Sequence, residues 1–514
     1  METAQDSKAK LSRSVRNRVI PTTGPLSERR TLALLAMSGV VSTAVAAVGL
    51  LSVGTILDIP RSIRATEPIT VLYGFAGGHF AVLVLLITLS ACFLSSLWIA
   101  SRLVTRFSAA VTWAIAIPLA AVFVLAYPTG STDLFHNVAD GHTLWAYREW
   151  PDVIPPSQHS DSVNNLVTEW RTTTTKYGPI AYAVAAFPAA LGGDDPTRSL
   201  IAYKAFGACA LVAVSAMVGW AVWRTDSRRC SQSIVMVGWN PLLLYEAATN
   251  GHNDVVMAAF AMTSLLFARH HATVLSVSML ALSIAVKFMT GLVAPIIWAW
   301  LFLVGSPRHR LVLITLAVAG IIGAALLFPT FKERILAPPG PAAGQGLVAS
   351  PTSVLAYAIE PWLGVDGIQI ARRLCFLVFA AVVFRTVTSL DHSWSSLLRA
   401  SFILLLALPL LTATQVYPWY LLWSVPISGL LLGSVFADIG IAASIAGFIS
   451  YAVWPWLPID AINGIDRPNP LANALYVSAF FGIPFAYVVL AQRLRLPSTQ
   501  ERDPFRATAA LNGS

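Results

Sequence analysis

Long apolar runs separated by short polar breaks make up most of this chain. The runs fall near 31–57, 69–98, 108–128, 199–223, 231–249, 254–268, 273–287, 289–304, 311–329, 367–387, 394–413, 418–433, 436–456 and 471–491. Runs of this length suit a hydrocarbon layer of roughly 30 Å. The pattern predicts an all-α polytopic membrane protein, a bundle of about 13–14 transmembrane helices. A shorter stretch, "YGPIAYAVAAFPAAL" at 177–191, is expected to dip and return as a re-entrant element. A crossing there would put "WRTDSRRC" (223–230) outside, against the positive-inside tendency.

Charge gives the bundle its direction. With 177–191 re-entrant, the segments assigned to the inside hold 21 of the 34 Lys and Arg but 8 of the 25 Asp and Glu. Both termini are then expected in the cytoplasm of a multi-pass plasma-membrane protein, with any chemistry on the extracytoplasmic side. The expected divisions are a basic tail (1–30), a membrane domain (31–491) and a second tail (492–514). Within the domain, 129–198 forms a catalytic outer loop carrying short helices and the re-entrant element, and 330–366 forms a second outer loop.

Composition agrees with the pattern. Of 514 residues, 56% are hydrophobic and 11% charged, against about 25% charged in an average soluble protein. The formal charge of +9 comes from basic residues at the ends of apolar runs, with no compact basic and aromatic module for nucleic acid. Cys92, Cys209, Cys230 and Cys375 lack zinc or disulfide spacing. There is no Walker A loop, no GxGxxG after a strand and no HExxH.

Against this background a few polar groups stand out. In "WNPLLLYEAATNGHNDVVMAAF", Asn250-Gly251 makes a good turn, and Asn253 or Asp254 a good N-cap. Glu246 does not fit that reading, because it lies a helical turn down among Leu and Ala and shares a face with Asn250. A carboxylate at that depth calls for a cavity or a partner. His252 adds a donor for an anionic group. Lys287 interrupts an otherwise apolar stretch and reads either as a snorkelling lysine or as a phosphate contact beside helix ends. Arg372 and Arg373 are secondary phosphate candidates.

Asp133, just after an apolar span in "TGSTD", reads as a turn or cap residue or as a general base. Asp140 is a weaker candidate of the same kind. Tyr177, beside Lys176, stands at the mouth of the re-entrant element. Gln415, Tyr417 and Trp419 belong to an interfacial aromatic belt or line a sugar or lipid groove. No ligand spacing demands a metal and no cofactor is called for, although the carboxylates could take a divalent cation.

In order, "STDLFHNVADGHTLWAYREW", "WNPLLLYEAATNGHNDVVMAAF" and "AVKFMTGL" resemble the polyprenyl-phosphate-mannose-dependent mannosyltransferases of actinobacterial type. These are GT-C integral-membrane enzymes of lipoglycan assembly, and the likeness covers about 110 to 425. The resemblance implies a polyprenyl-phosphate-linked sugar donor, a lipid-linked glycan acceptor and catalysis by Asp133. Lys287 and His252 would meet the donor phosphate, and Glu246, Asn250, Asn253, Asp254 and Tyr177 would shape the site. Where family members carry Asn-Pro-Tyr, this chain has "REWPDVIPPSQ". The alternatives are an arabinofuranose or glucose donor for the same chemistry, and a transporter or lipid-carrier flippase using Glu246 and Lys287.

Overall fold

The break at Gly238–Asn240 shows how the chain builds its centre. Asn240 caps the helix that follows: its Oδ1 accepts from the N–H groups of Leu242 (3.1 Å) and Leu243 (3.4 Å). Pro241 takes the first helical position, where no N–H is needed. The helix Pro241–Leu244 then widens into a π turn, Tyr245–Thr249, a form often found at functional sites. Every residue from 233 to 258 is buried, so the polar cluster lies in the middle of the bundle.

The computed structural model describes residues 25–55, 78–336, 349–413, 415–453, 459–462 and 465–478, with 480, 482 and 486. Helices α1 (Pro25–Val53), α2 (Gly78–Ala100) and α3 (Arg106–Leu125) pack together at the start of the chain. The 129–176 segment holds α4 (Asp133–His142), and α5 (Pro179–Gly192) and α6 (Pro196–Trp223) follow it. The central piece comprises α7 (Cys230–Gly238) and α8 (Pro241–Leu244), and leads to α9 (Asp254–Arg269), α10 (Thr273–Val286) and α11 (Ala294–Val304). The chain continues through α12 (Pro307–Leu336), α13 (Pro351–Leu363), α14 (Val365–Thr388), α15 (Trp394–Thr412), α16 (Val425–Ser428) and α17 (Val435–Val453). A short antiparallel hairpin pairs Ile459–Ile462 with Ile465–Pro468; the other elements among the described residues are helices.

Seven described helices are long and apolar enough to cross a membrane. Large apolar side chains such as Met37, Val48, Phe376 and Phe384 are exposed on them, as a lipid-facing surface requires. The all-α polytopic class holds. The runs expected to complete 13–14 spans take shorter forms. Pro179–Gly192, Thr273–Val286 and Phe288–Val304 are shorter apolar helices. Residues 231–249 break at Asn240–Pro241, and 418–433 break into the 3-10 turn Pro418–Trp423 and α16, because proline cannot donate to a helix interior. Within the expected outer loop 330–366, α12 continues to Leu336 and α13 occupies Pro351–Leu363; residues 337–348 lie outside the described ones.

The 129–176 segment carries short helices, as expected: α4 runs into a π turn at Thr143–Tyr147, and 3-10 turns follow at Pro156–Gln158 and Asn164–Leu166. It has its own small core. Leu134, Phe135, Val138, Val163 and Val167 pack on Leu200 and Tyr203 of α6. The 177–191 run becomes α5, packed on α4, α6 and α10. Gly178 N–H donates to Val286 O (3.1 Å), and a Cβ there would fall 2.1 Å from Ala285 O. Glycine therefore permits the approach, which sets Tyr177 beside Lys287.

Candidate active site

Asp133 opens α4, and its N–H donates to Ser131 Oγ (3.1 Å). Its side chain is 31% exposed and lines a cavity of about 180 Å³ with His136, Glu169, Trp170, Lys176 and Tyr177. The Tyr177 hydroxyl donates to Asp133 Oδ2 (3.2 Å). Below it, His252 lies between two carboxylates: Nδ1 is 3.6 Å from Asp133 Oδ2 and Nε2 is 3.4 Å from Glu246 Oε2. The imidazole stacks on Trp419 (4.4 Å), which stacks on Tyr417 (4.0 Å).

The other two carboxylates are enclosed. Glu246 accepts from Asn250 Nδ2 (2.9 Å) and the Tyr451 hydroxyl (2.6 Å). Asn250 in turn accepts from Gly130 N–H (3.0 Å), which ties the start of the 129–176 segment to the central cluster. Asp254 holds Lys287 Nζ at 3.0 Å from both oxygens and accepts from Trp423 Nε1 (2.5 Å). Neither Glu246 nor Asp254 has an exposed side chain. Asn253 is buried, and neither its Oδ1 nor its Nδ2 has a hydrogen-bond partner among the described residues. Such groups are uncommon in folded proteins and call for an explanation.

A histidine and a lysine also line the cavity. His136 Nδ1 lies 3.3 Å from Asp140 Oδ1. Burial alone would push the imidazole below its ordinary value, but the bond and charge of Asp140, with Asp133 nearby, outweigh it and hold it above. Lys176 Nζ sits 5.6 Å over the Trp170 ring. Among the described residues no group of three or more His, Cys, Asp or Glu is arranged to hold a metal ion.

With this geometry in hand, the chain can be set beside known proteins. A family model described as "Alpha-(1->6)-mannopyranosyltransferase, N-terminal domain" matches residues 36–303, just over half of the chain. The chain belongs to this family. It is 22% identical over 414 residues to alpha-(1->6)-mannopyranosyltransferase B of Corynebacterium glutamicum, covering 72% of this chain and 65% of the relative. Against alpha-(1->6)-mannopyranosyltransferase A it is 24% identical over 197 residues in Corynebacterium glutamicum, covering 36% of this chain and 37% of the relative. The A protein of Mycobacterium tuberculosis is 24% identical over 186 residues, 35% of each chain. The chain thus spans less than two thirds of the length of these relatives. No solved structure matches it.

Most of the residues expected at a family site converge: Asp133, Tyr177, Glu246, Asn250, His252, Asp254, Lys287, Tyr417 and Trp419 share one network or its aromatic wall. Gln415 hydrogen-bonds Tyr417. Lys287, expected to await a phosphate, is already engaged by Asp254. Asp140 is buried against His136. Arg372 and Arg373 lie on α14, and none of the network's bonds involves them. His136, Glu169 and Tyr451 were not expected. His136 lies one helical turn from Asp133, on the same face of α4, so periodicity could have found it. Tyr451 is 205 residues from Glu246, and no local signal marks it.

Proposed function

We propose that this protein transfers a mannosyl residue from a polyprenyl-phosphate donor to a lipid-linked glycan acceptor on the extracytoplasmic side of the membrane. The observation that carries this reading is the sorting of the carboxylates. Of Asp133, Glu246 and Asp254, Asp133 alone keeps exposed side-chain surface, and it lines the cavity of about 180 Å³. Asp133 takes the proton of an acceptor hydroxyl as that oxygen bonds to the anomeric carbon. The bond from that carbon to the donor phosphate breaks, and the polyprenyl phosphate leaves as an anion. A phosphate leaves without a strong acid, and cations nearby help it. His136 and Lys176 line the cavity where the anion would form. The free amide of Asn253 suits a sugar hydroxyl. Mannose is supported by the names of the relatives, and the outward face by the charge asymmetry of the loops.

The test is transfer from radiolabelled polyprenyl-phosphate mannose in membranes, beside the same carrier bearing glucose or arabinofuranose. Asp133→Asn is expected to insert normally and to lose roughly 10²–10⁴-fold in rate, the usual size for a general base. Normal turnover by Asp133→Asn would remove this residue from the chemistry, and preference for another sugar would replace mannose.

A further inference from the structure

A second cavity lies at the far end of α9. This helix starts at Asp254, inside the network above, and ends 15 residues on at Arg269, roughly 22 Å away at 1.5 Å per residue. There the α9–α10 turn, the end of α11 and the turn before α15 line an open pocket of about 420 Å³, within the usual span of small-molecule sites, roughly 300–1,000 Å³. Arg269, His271 and His392 supply its polar lining, and Trp300, Leu303 and Trp394 its apolar wall.

The lining is held in place. The Arg269 guanidinium lies 4.5 Å over the Trp394 ring and donates to Ala221 O (3.3 Å). No carboxylate among the described residues pairs with it; the neighbouring charge is Arg224. His271 takes a left-handed backbone (φ 55) and sets its ring parallel to Trp300 (6.2 Å, 5°). A left-handed non-glycine residue is uncommon. Trp300 Nε1 donates to Ser393 O (3.0 Å), which pins the turn carrying His392. The acid of that turn, Asp391, is occupied locally, accepting from Ser393 N–H (2.7 Å). His271 is held below its ordinary value by burial and by its neighbours His309 and His270, so it serves as a neutral hydrogen-bonding group; His309 is itself hydrogen-bonded with Ser306 (2.8 Å). Basic residues that merely orient helices need only reach water. Here one is partly buried on an indole, and three separate segments line the pocket beside it.

We propose that this cavity binds the phosphate of an anionic phosphoester. The Arg269 fork meets the phosphate oxygens, as guanidinium suits that geometry, with His271 and His392 on either side. The Trp300 and Leu303 wall covers the apolar part. Leu303 is 39% exposed, so the cavity opens towards the apolar surface of the bundle. Basic pockets between membrane helices hold lipid head groups; a soluble phosphate would use the same groups.

Equilibrium dialysis of the purified full chain in detergent tests this, with radiolabelled dioctanoyl-phosphatidylglycerol and radiolabelled inorganic phosphate as probes. Saturable binding of the lipid but not of phosphate assigns a head group, and equal binding of both assigns a soluble anion. In either case Arg269→Gln should weaken binding roughly 10- to 100-fold, the size of a charge-assisted hydrogen bond, and Arg269→Lys less. His392→Ala, at an exposed position, should weaken it roughly three- to tenfold and keeps the test alive if Arg269→Gln does not fold. Absence of saturable binding by either probe overturns the proposal. So does unchanged affinity in folded Arg269→Gln, or in His392→Ala together with Arg269→Lys.

Discussion

Lys287 Nζ sits 3.0 Å from each carboxylate oxygen of Asp254, a residue with no exposed side-chain surface. The pair joins the N-terminus of α9 to the end of α10. Removing one partner leaves a buried charge uncompensated, which costs about 3–5 kcal/mol. Lys287→Met should therefore lower thermal stability in detergent as well as activity. Adding Asp254→Asn should restore much of the stability, because the orphaned charge disappears with it. If Lys287→Met melts like the wild type, the lysine is not holding these helices together.

The turn between Glu246 and α9 makes a separate forecast. Gly251 has φ 62, and a Cβ there would fall 2.5 Å from Leu134 Cδ1. Gly251→Ala combines a strained backbone, about 1–3 kcal/mol, with a push against α4 directly behind Asp133. A fall in both melting temperature and transfer rate is expected. Wild-type behaviour in both would show that the turn relaxes freely.

These two sites show what could be read in advance. Asn250-Gly251 was legible as a turn because Asn and Gly favour that geometry by themselves. Glu246 stood out because a carboxylate among Leu and Ala needs a partner. The partners were not legible: Tyr451 for Glu246 and Trp423 for Asp254 come from helices and turns far along the chain. Apolar run length placed α1, α2, α3, α6 and α15 well. It misread 231–249 and 418–433, where Pro241, Pro418 and Pro426 divide the run although hydropathy stays high. Lys287 reads from sequence as a snorkelling lysine or a phosphate contact, because sequence shows a charge and not the carboxylate folded against it.

Acid should loosen the 129–176 segment. Asp161 accepts from Val163 N–H (2.8 Å), Asn164 Nδ2 (2.7 Å) and the Tyr147 hydroxyl (2.9 Å). Burial alone would push its carboxyl up, but the bonds from Asn164, Tyr147 and Val163 outweigh burial and hold it at about 2. Its folded value is below its unfolded value of about 3.9. The stabilisation is therefore present above about pH 4 and lost as pH falls towards 2. His142, held below its ordinary value by burial, acts in the same direction at higher pH. Limited proteolysis should cut near 147–166 increasingly fast as pH drops from about 5 to 2. In Asp161→Asn the Asp161 part of that dependence should vanish; a profile unchanged from wild type would assign it elsewhere.

Tyr177 tests whether orientation of Asp133 matters apart from its charge. Its hydroxyl donates to Asp133 Oδ2 (3.2 Å), while its ring lies 5.1 Å from Lys287 Nζ and its chain neighbour Gly178 is fastened to Val286. Tyr177→Phe removes the hydroxyl and keeps the ring and the anchor, so the fold should persist. The carboxylate then loses one donor that holds it towards the cavity. A hydrogen bond to a charged group is worth about 1.5–3 kcal/mol, and each 1.36 kcal/mol in the barrier is tenfold in rate. kcat should fall roughly 10- to 100-fold on that basis, with KM for the lipid donor little changed, because Tyr177 is placed against the base rather than the phosphate. A rise in KM at constant kcat would move Tyr177 to the donor side. Wild-type kinetics in Tyr177→Phe would mean that His252 and the start of α4 orient Asp133 without it.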